Sequence, residues 1–133
     1  MTTATKAIQV VLTAGPHDIP RAMFALELAL ASAVSGVETA VFLTLDATLW
    51  ACEPKRNTGA RVYELLTQLD GLGVPITCCS TCAVHRCGTP EATPGPGGAC
   101  AVVPAANTRF GIALQGLTTL IERIAAGVPT VTF

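Results

Sequence analysis

Charge is what this sequence has least of. Only 13% of its residues are Asp, Glu, Lys or Arg, and nine acidic against eight basic side chains leave a formal net charge of −1. No Lys/Arg cluster and no basic helix stands out, so the counterion release that drives nucleic-acid binding has no source. Long hydrophobic runs are missing as well. The most apolar run, Ala22–Val34, carries Glu27 and is too short to span a bilayer. The opening segment MTTATKAIQVVLTAGP has one lysine and a brief β-like run ending in Gly-Pro, which is not a secretory signal. These absences exclude nucleic acid and membrane as partners and imply a cytoplasmic address. Structural disulfides are rare in that compartment.

What is abundant is apolar surface. Half of the 133 residues are hydrophobic, and the mean hydropathy is positive, at +0.54. A chain of this length is expected to form one domain, 1–133, with much surface for its volume. Some apolar surface should then remain after folding, and its burial against further copies of the chain predicts a homo-oligomer.

The order of elements reads as α/β. Ala7–Thr13 is short, β-branched and stopped by Ala-Gly-Pro, as a buried strand would be. From near Ile19 to Ser35, Ile19, Met23, Leu26, Leu30 and Val34 recur at helical spacing. Asp18 suits the N-cap, Pro20 the first turn and Gly36 the stop. A strand at Glu38–Leu45 completes a strand–helix–strand unit, which implies parallel pairing. A helix from about Ala60 to Asp70 presents Val62, Leu65, Leu66 and Leu69, and a third strand follows from Val74 to about Cys78. Residues 89–108 are rich in Pro and Gly and read as a long loop, with a short strand at Ala101–Val103. A last helix from near Gly111 to Ala126 and a strand at Thr130–Phe133 close the chain. The expectation is a three-layer α/β/α domain on a mainly parallel sheet of four to five strands. In such sheets ligands bind beyond the carboxyl ends of the strands. His17, Cys52 and Cys79 follow the first, second and third strands, so all three should share that edge.

Four of the six cysteines fall in the stretch Pro75–Gly88, PITCCSTCAVHRCG. Three chemistries fit it. Cys79-x-x-Cys82 has the spacing of a redox pair, with Cys82 resolving a bond at Cys79. Cys79, Cys82, His85 and Cys87 offer three thiolates and an imidazole to a tetrahedral zinc ion, although no second spaced pair supports the site. On a helix, Cys78, Cys82 and His85 would share a face instead. The third reading is that Cys79 is a small buried hydrophobe. Sulfur chemistry would need a thiolate, which unpaired N–H groups at a helix start after Cys79 and the charge of Arg86 would favour. His17 could bind substrate or shift a thiol's protonation. Trp50 suits a pocket wall, a core or an interface. Cys52 and Cys100 lie in expected loops.

The order of elements, with LTAGP after the first strand, Cys79 at a strand end, HRCG beyond it and the closing ALQGLTTLIERIAAGVPTVTF, resembles the DsrE/DsrF-like family. The sulfur-relay subunits of the DsrE and TusD type belong to that family. The resemblance covers almost the whole chain. It implies a cytoplasmic sulfur carrier or sulfurtransferase, built as a trimer or hexamer, that needs no cofactor. Sulfane sulfur would be held as a persulfide on one strand-end cysteine, received from a donor protein and passed to an acceptor. In register with the family's motif, that cysteine is Cys79, with Arg86 following and Cys87 intervening before Gly88. Cys78, Cys82, Cys87 and Cys52 then rank as secondary thiols, with Arg86 and His17 beside them. The competing expectation is a non-catalytic module, zinc-stabilised or ligand-binding. Accessibility of Cys79 separates the two, because a carrier sulfur has to be reached.

Overall fold

A computed structural model describes residues 6–52, 59–86 and 112–133. Strand β1 (Ala7–Leu12) pairs in parallel with β2 (Glu38–Leu43), Ala7 opposite Glu38 through to Leu12 opposite Leu43. Between them runs helix α1 (Ile19–Val34). The Asp18 carboxylate caps it, accepting from the backbone N–H of Arg21 at 3.4 Å and from Arg21 Nε at 3.0 Å. Gly36, at φ +84°, supplies the left-handed turn after the helix. The buried stripe of α1 is Ala22, Ala25, Leu26 and Ala29. Ile19, Met23 and Leu30 pack against it from the side, while Val34 is 67% exposed. The expected apolar face is thus rotated toward the alanines, whose small side chains let the helix approach the sheet closely.

Beyond β2 the chain makes a 3-10 helix, Leu45–Trp50, where the expected strand was longer. Helix α2 (Ala60–Gly71) buries Val62, Tyr63, Leu65, Leu66 and Leu69. Strand β3 (Ile76–Cys79) leads without a break into helix α3 (Ser80–Arg86). Strand β4 (Ala113–Gln115), helix α4 (Leu117–Ala125) and strand β5 (Thr130–Thr132) complete the described chain. The expected final helix was to begin near Gly111. Its first part is strand instead, because residues 113–115 pair in parallel with β3, Thr77 opposite Ala113 and Cys79 opposite Gln115. The Pro/Gly-rich loop 89–108 and the strand expected at Ala101–Val103 lie outside the described residues.

All four pairings are parallel, and the strand order is β4-β3-β2-β1-β5. The α/β architecture with a five-stranded parallel sheet is therefore as expected. Helices α1 and α2 cover one face. Beneath them Val10, Leu12, Val41, Leu43, Ile76 and Cys78 form a continuous core with the helix residues. The opposite face holds a much smaller cluster of Val11, Phe42 and Cys79, covered by Leu120 of α4 and by Cys82. None of the residues of α4 is fully buried. A polar strut ties it down: Arg123 donates to Oε1 of the fully buried Gln9 at 3.3 Å, and Gln9 Nε2 donates to Thr130 Oγ1 at 3.1 Å. Both ends of the Gln9 amide are thereby satisfied, as burial requires. Among the described residues no helix is long and apolar enough to cross a membrane.

Candidate functional site

The carboxyl ends of β1, β2 and β3 meet at one edge of the sheet, and a tryptophan locks them together. Trp50 is fully buried, donates its indole N–H to the Ala14 carbonyl at 2.8 Å, and packs edge-on against Tyr63 with ring centroids 5.4 Å apart. Trp50 therefore belongs to the core rather than to a pocket wall. The loop after β1 presses against the 3-10 helix: the Ala47 N–H donates to the Thr13 carbonyl at 3.1 Å, and a Cβ on Gly15 would collide with the Asp46 carbonyl. Glycine is required there by space. These contacts make a rigid platform for the corner Thr44–Leu45, which stands directly opposite α3.

The three cysteines of β3 and α3 are not disulfide-bonded, and they sit in three different environments. Cys78 and Cys79 are neighbours on a strand, so their side chains point to opposite faces. Cys78 is fully buried in the main core. Burial pushes its thiol from an ordinary 9.0 up to about 12, with the Thr48 hydroxyl bonded to it as a partial offset. Cys79 ends β3 as expected, but it is only 3% exposed, packed in the small cluster with Val11 and Phe42. The exposure required of a carrier cysteine is thus not met at Cys79 in the single chain. The reason is local: the strand-end side chain turns onto the sheet face that Leu120 covers. Cys82, one turn into α3, is half-buried and packs against the same cluster.

Cys82 is also the thiol with the most pointed surroundings. Its Sγ accepts the backbone N–H of Leu45 at 3.2 Å and lies 3.4 Å from Thr44 Oγ1. Leu45 has φ +53°, among the described residues the one non-glycine with a positive φ. A leucine in that region costs about 1–2 kcal/mol, so the corner is held by its neighbours rather than by its own preference. Neither Thr44 nor Leu45 was legible as a site residue in the sequence. Strained backbone of this kind concentrates at functional sites, but no residue pattern announces it.

The remaining expected site residues are dispersed. His17 does reach the carboxyl edge, with Nε2 3.6 Å from Asp46 Oδ2, and is mostly exposed. Together with Thr13, Arg21, Leu45 and Asp46 it lines a polar pocket of about 300 Å³. No thiol lines that pocket; Leu45 alone is common to it and to the Cys82 contact. Arg21 in the pocket holds the Asp18 carboxyl below the usual carboxylate range by hydrogen bonding. Cys52 also sits beyond β2 but is buried and disulfide-bonded. Cys52 is therefore no secondary thiol for sulfur chemistry, and the disulfide reading that a cytoplasmic address had made less favoured holds at this cysteine. His85 is exposed on α3. Cys87 and Cys100 lie outside the described residues, as does the side chain of Arg86. Among the described residues no three His, Cys, Asp or Glu side chains are grouped to hold a metal. The shared face of Cys78, Cys82 and His85 does not arise, because Cys78 belongs to β3 and points into the core.

The arrangement places one half-buried sulfur, which accepts the Leu45 N–H and lies beside the Thr44 hydroxyl, next to the buried thiol of Cys79. A sequence profile described as the DsrE/DsrF-like family matches residues 6–133. Among solved structures, the ychN protein from E. coli superposes with a TM-score of 0.73 at 21% identity, over 96% of this chain and 99% of that one. A conserved protein of unknown function from Bacteroides thetaiotaomicron, BT1422, superposes with a TM-score of 0.67 at 16% identity, over 99% of this chain and all of that one. At these identities the two structures speak for the fold. No curated protein matches the sequence.

Proposed function

Because this chain belongs to the DsrE/DsrF-like family, a membership that supports a sulfur-relay-type role in general, we propose that it carries sulfane sulfur as a cysteine persulfide. Cys82, expected as a secondary thiol, is the receiving atom, and Cys79 forms the apolar floor beneath it. The observation that carries this assignment is the half-buried Cys82 Sγ held by the Leu45 N–H at 3.2 Å, set against a Cys79 that is 3% exposed. In the loading step the Cys82 thiolate attacks the terminal sulfur of a donor persulfide, R–S–SH. The donor S–S bond breaks, a new one forms to Cys82, and R–S⁻ leaves. Delivery is the same exchange in reverse sense: an acceptor thiolate takes the terminal sulfur from Cys82–S–SH and Cys82 returns as thiolate. Neither step needs a metal, a cofactor or a net redox change. Donor and acceptor proteins are its partners in a cytoplasmic setting, where Cys78, Cys79 and Cys82 stay reduced while Cys52 is held in a disulfide.

The working unit in this reading is a homo-oligomer, a trimer or hexamer. Leu117, Ile121 and Ile124 of α4 are about half exposed on one helix, beside a sheet face that is otherwise thinly covered. A second copy is the simplest cover for such a stripe in a chain with so little charge.

Loading tests the reading directly. The wild-type chain treated with inorganic polysulfide and weighed intact should gain sulfur, and Cys82→Ser should lose that gain while Cys79→Ser keeps it. Failure of the wild type to gain sulfur sinks the carrier reading. Loss of gain in Cys79→Ser alone returns the sulfur to the strand end.

A further inference from the structure

The corner between β2 and the 3-10 helix has no structural need for a leucine at φ +53°. Glycine would adopt the same backbone without strain. Thr44 is extended, at φ −142° and ψ 167°, so successive N–H groups point to opposite sides and the Leu45 N–H faces Cys82 Sγ, 37 residues later in the chain; the positive φ of Leu45 then turns the backbone into the 3-10 helix. The preceding residue still belongs to the ladder, its N–H donating to the Leu12 carbonyl at 3.0 Å, so Thr44 is fixed in place. Its hydroxyl then stands 3.4 Å from the same sulfur. A backbone N–H and a hydroxyl able to donate, from consecutive residues, thus converge on one sulfur atom. The Trp50–Ala14 hydrogen bond and the Gly15–Asp46 close approach brace the corner from behind.

We propose that Thr44 and Leu45 are positioning residues for Cys82: the Thr44 hydroxyl and the Leu45 N–H form a two-donor cradle that holds its sulfur as the thiolate. Hydrogen bonds to an ionised acceptor are about twice as strong as neutral ones. A neutral thiol would turn its S–H toward the Thr44 oxygen and accept from Leu45 alone, whereas the thiolate accepts from both groups. The cradle therefore distinguishes the protonation states and favours the one that reacts with sulfur electrophiles. The same two donors would face Cys82 after each delivery, when the leaving sulfur is again an anion. The cradle deepens the carrier reading and rests on it for its purpose, but its existence is independent of any sulfur donor.

The test is the rate at which iodoacetamide alkylates Cys82, followed by peptide mass spectrometry across a pH series. In the wild type Cys82 should react faster at pH 7 than the thiol of an unstructured peptide carrying the same residues. Thr44→Val, which keeps the shape and removes the hydroxyl, should slow the reaction about tenfold, the loss expected from one hydrogen bond to a charged group. It should also move the midpoint of the pH profile upward. Thr44→Ser should restore both. Should Thr44→Val fail to fold, Thr44→Ala provides the same reading. Leu45→Gly, which retains the N–H and relieves the strain, should keep the wild-type pH midpoint. A wild-type Cys82 no faster than the peptide, or a Thr44→Val profile that overlays the wild type, overturns the cradle. Fast, Thr44-dependent alkylation without any loading by polysulfide leaves the cradle standing and removes the carrier function. Loading that is indifferent to Thr44 does the opposite.

Discussion

The two faces of the sheet are built to different standards. Under α1 and α2 lies a packed core of aliphatic side chains closed by Trp50 and Tyr63, with most of them at zero exposure. On the other face three residues form the cluster, and the covering helix α4 rests on Leu120 and the Arg123–Gln9 strut. Cysteines sample both. Cys78, in the packed face, is a core side chain whose ionisation burial opposes; Cys82, at the rim of the sparse face, accepts the Leu45 N–H and lies beside the Thr44 hydroxyl. The same residue type, four positions apart, is structural in one place and, in the proposed reading, the site of chemistry in the other. What separates them is which side of a parallel sheet the backbone turns them toward.

Mutations in the two faces should therefore differ most in stability. Trp50→Ala removes the side chain that joins β1, the 3-10 helix and α2, and should cost about 3–5 kcal/mol. Leu120→Ala on the sparse face should cost only about 1 kcal/mol, because it is partly exposed already. Chemical denaturation of both variants measures the gap. Equal losses would mean that the sparse face carries more of the stability than its packing indicates.

A smaller effect is expected in the alkaline limb. The Cys78 thiol is raised in the folded chain from 9.0 to about 12, so the unfolded chain releases that proton first. Stability contributed by the neutral thiol is complete below pH 9 and is lost as pH rises through the interval from 9 to about 12. Cys78→Ala should show a shallower fall across that interval than the wild type in pH-dependent denaturation. Parallel slopes would deny Cys78 its buried, neutral state. Cys82→Ser should leave the slope of the Cys78 contribution in place, which sharpens the contrast between the two thiols.

The smallest change in stability belongs to the exposed stripe on α4. Ile121→Asp should alter folding stability by no more than about 0.5 kcal/mol, as surface substitutions do. If the stripe is where copies of the chain meet, the same change lowers the mass measured by light scattering. A variant with unchanged mass would place the oligomer contacts elsewhere.

Much of this was legible from residue order alone. Asp18, Pro20 and Gly36 bracket α1 because capping and φ restrictions act over one turn, and the alternating fates of Cys78 and Cys79 follow from the period of a strand. Residues 113–115 were not legible, since three residues of ALQ fit either period and only pairing with β3 makes them a strand. The α1 stripe was misplaced by reading large side chains as the buried ones, where close packing on the sheet selected alanines. Local sequence thus determined the elements, their order and the strand end at which the cysteines gather. Which sulfur is reachable, and the corner at Thr44–Leu45 that meets it, were decided only by tertiary structure, because the contact spans 37 residues and the leucine's own backbone preference runs against it.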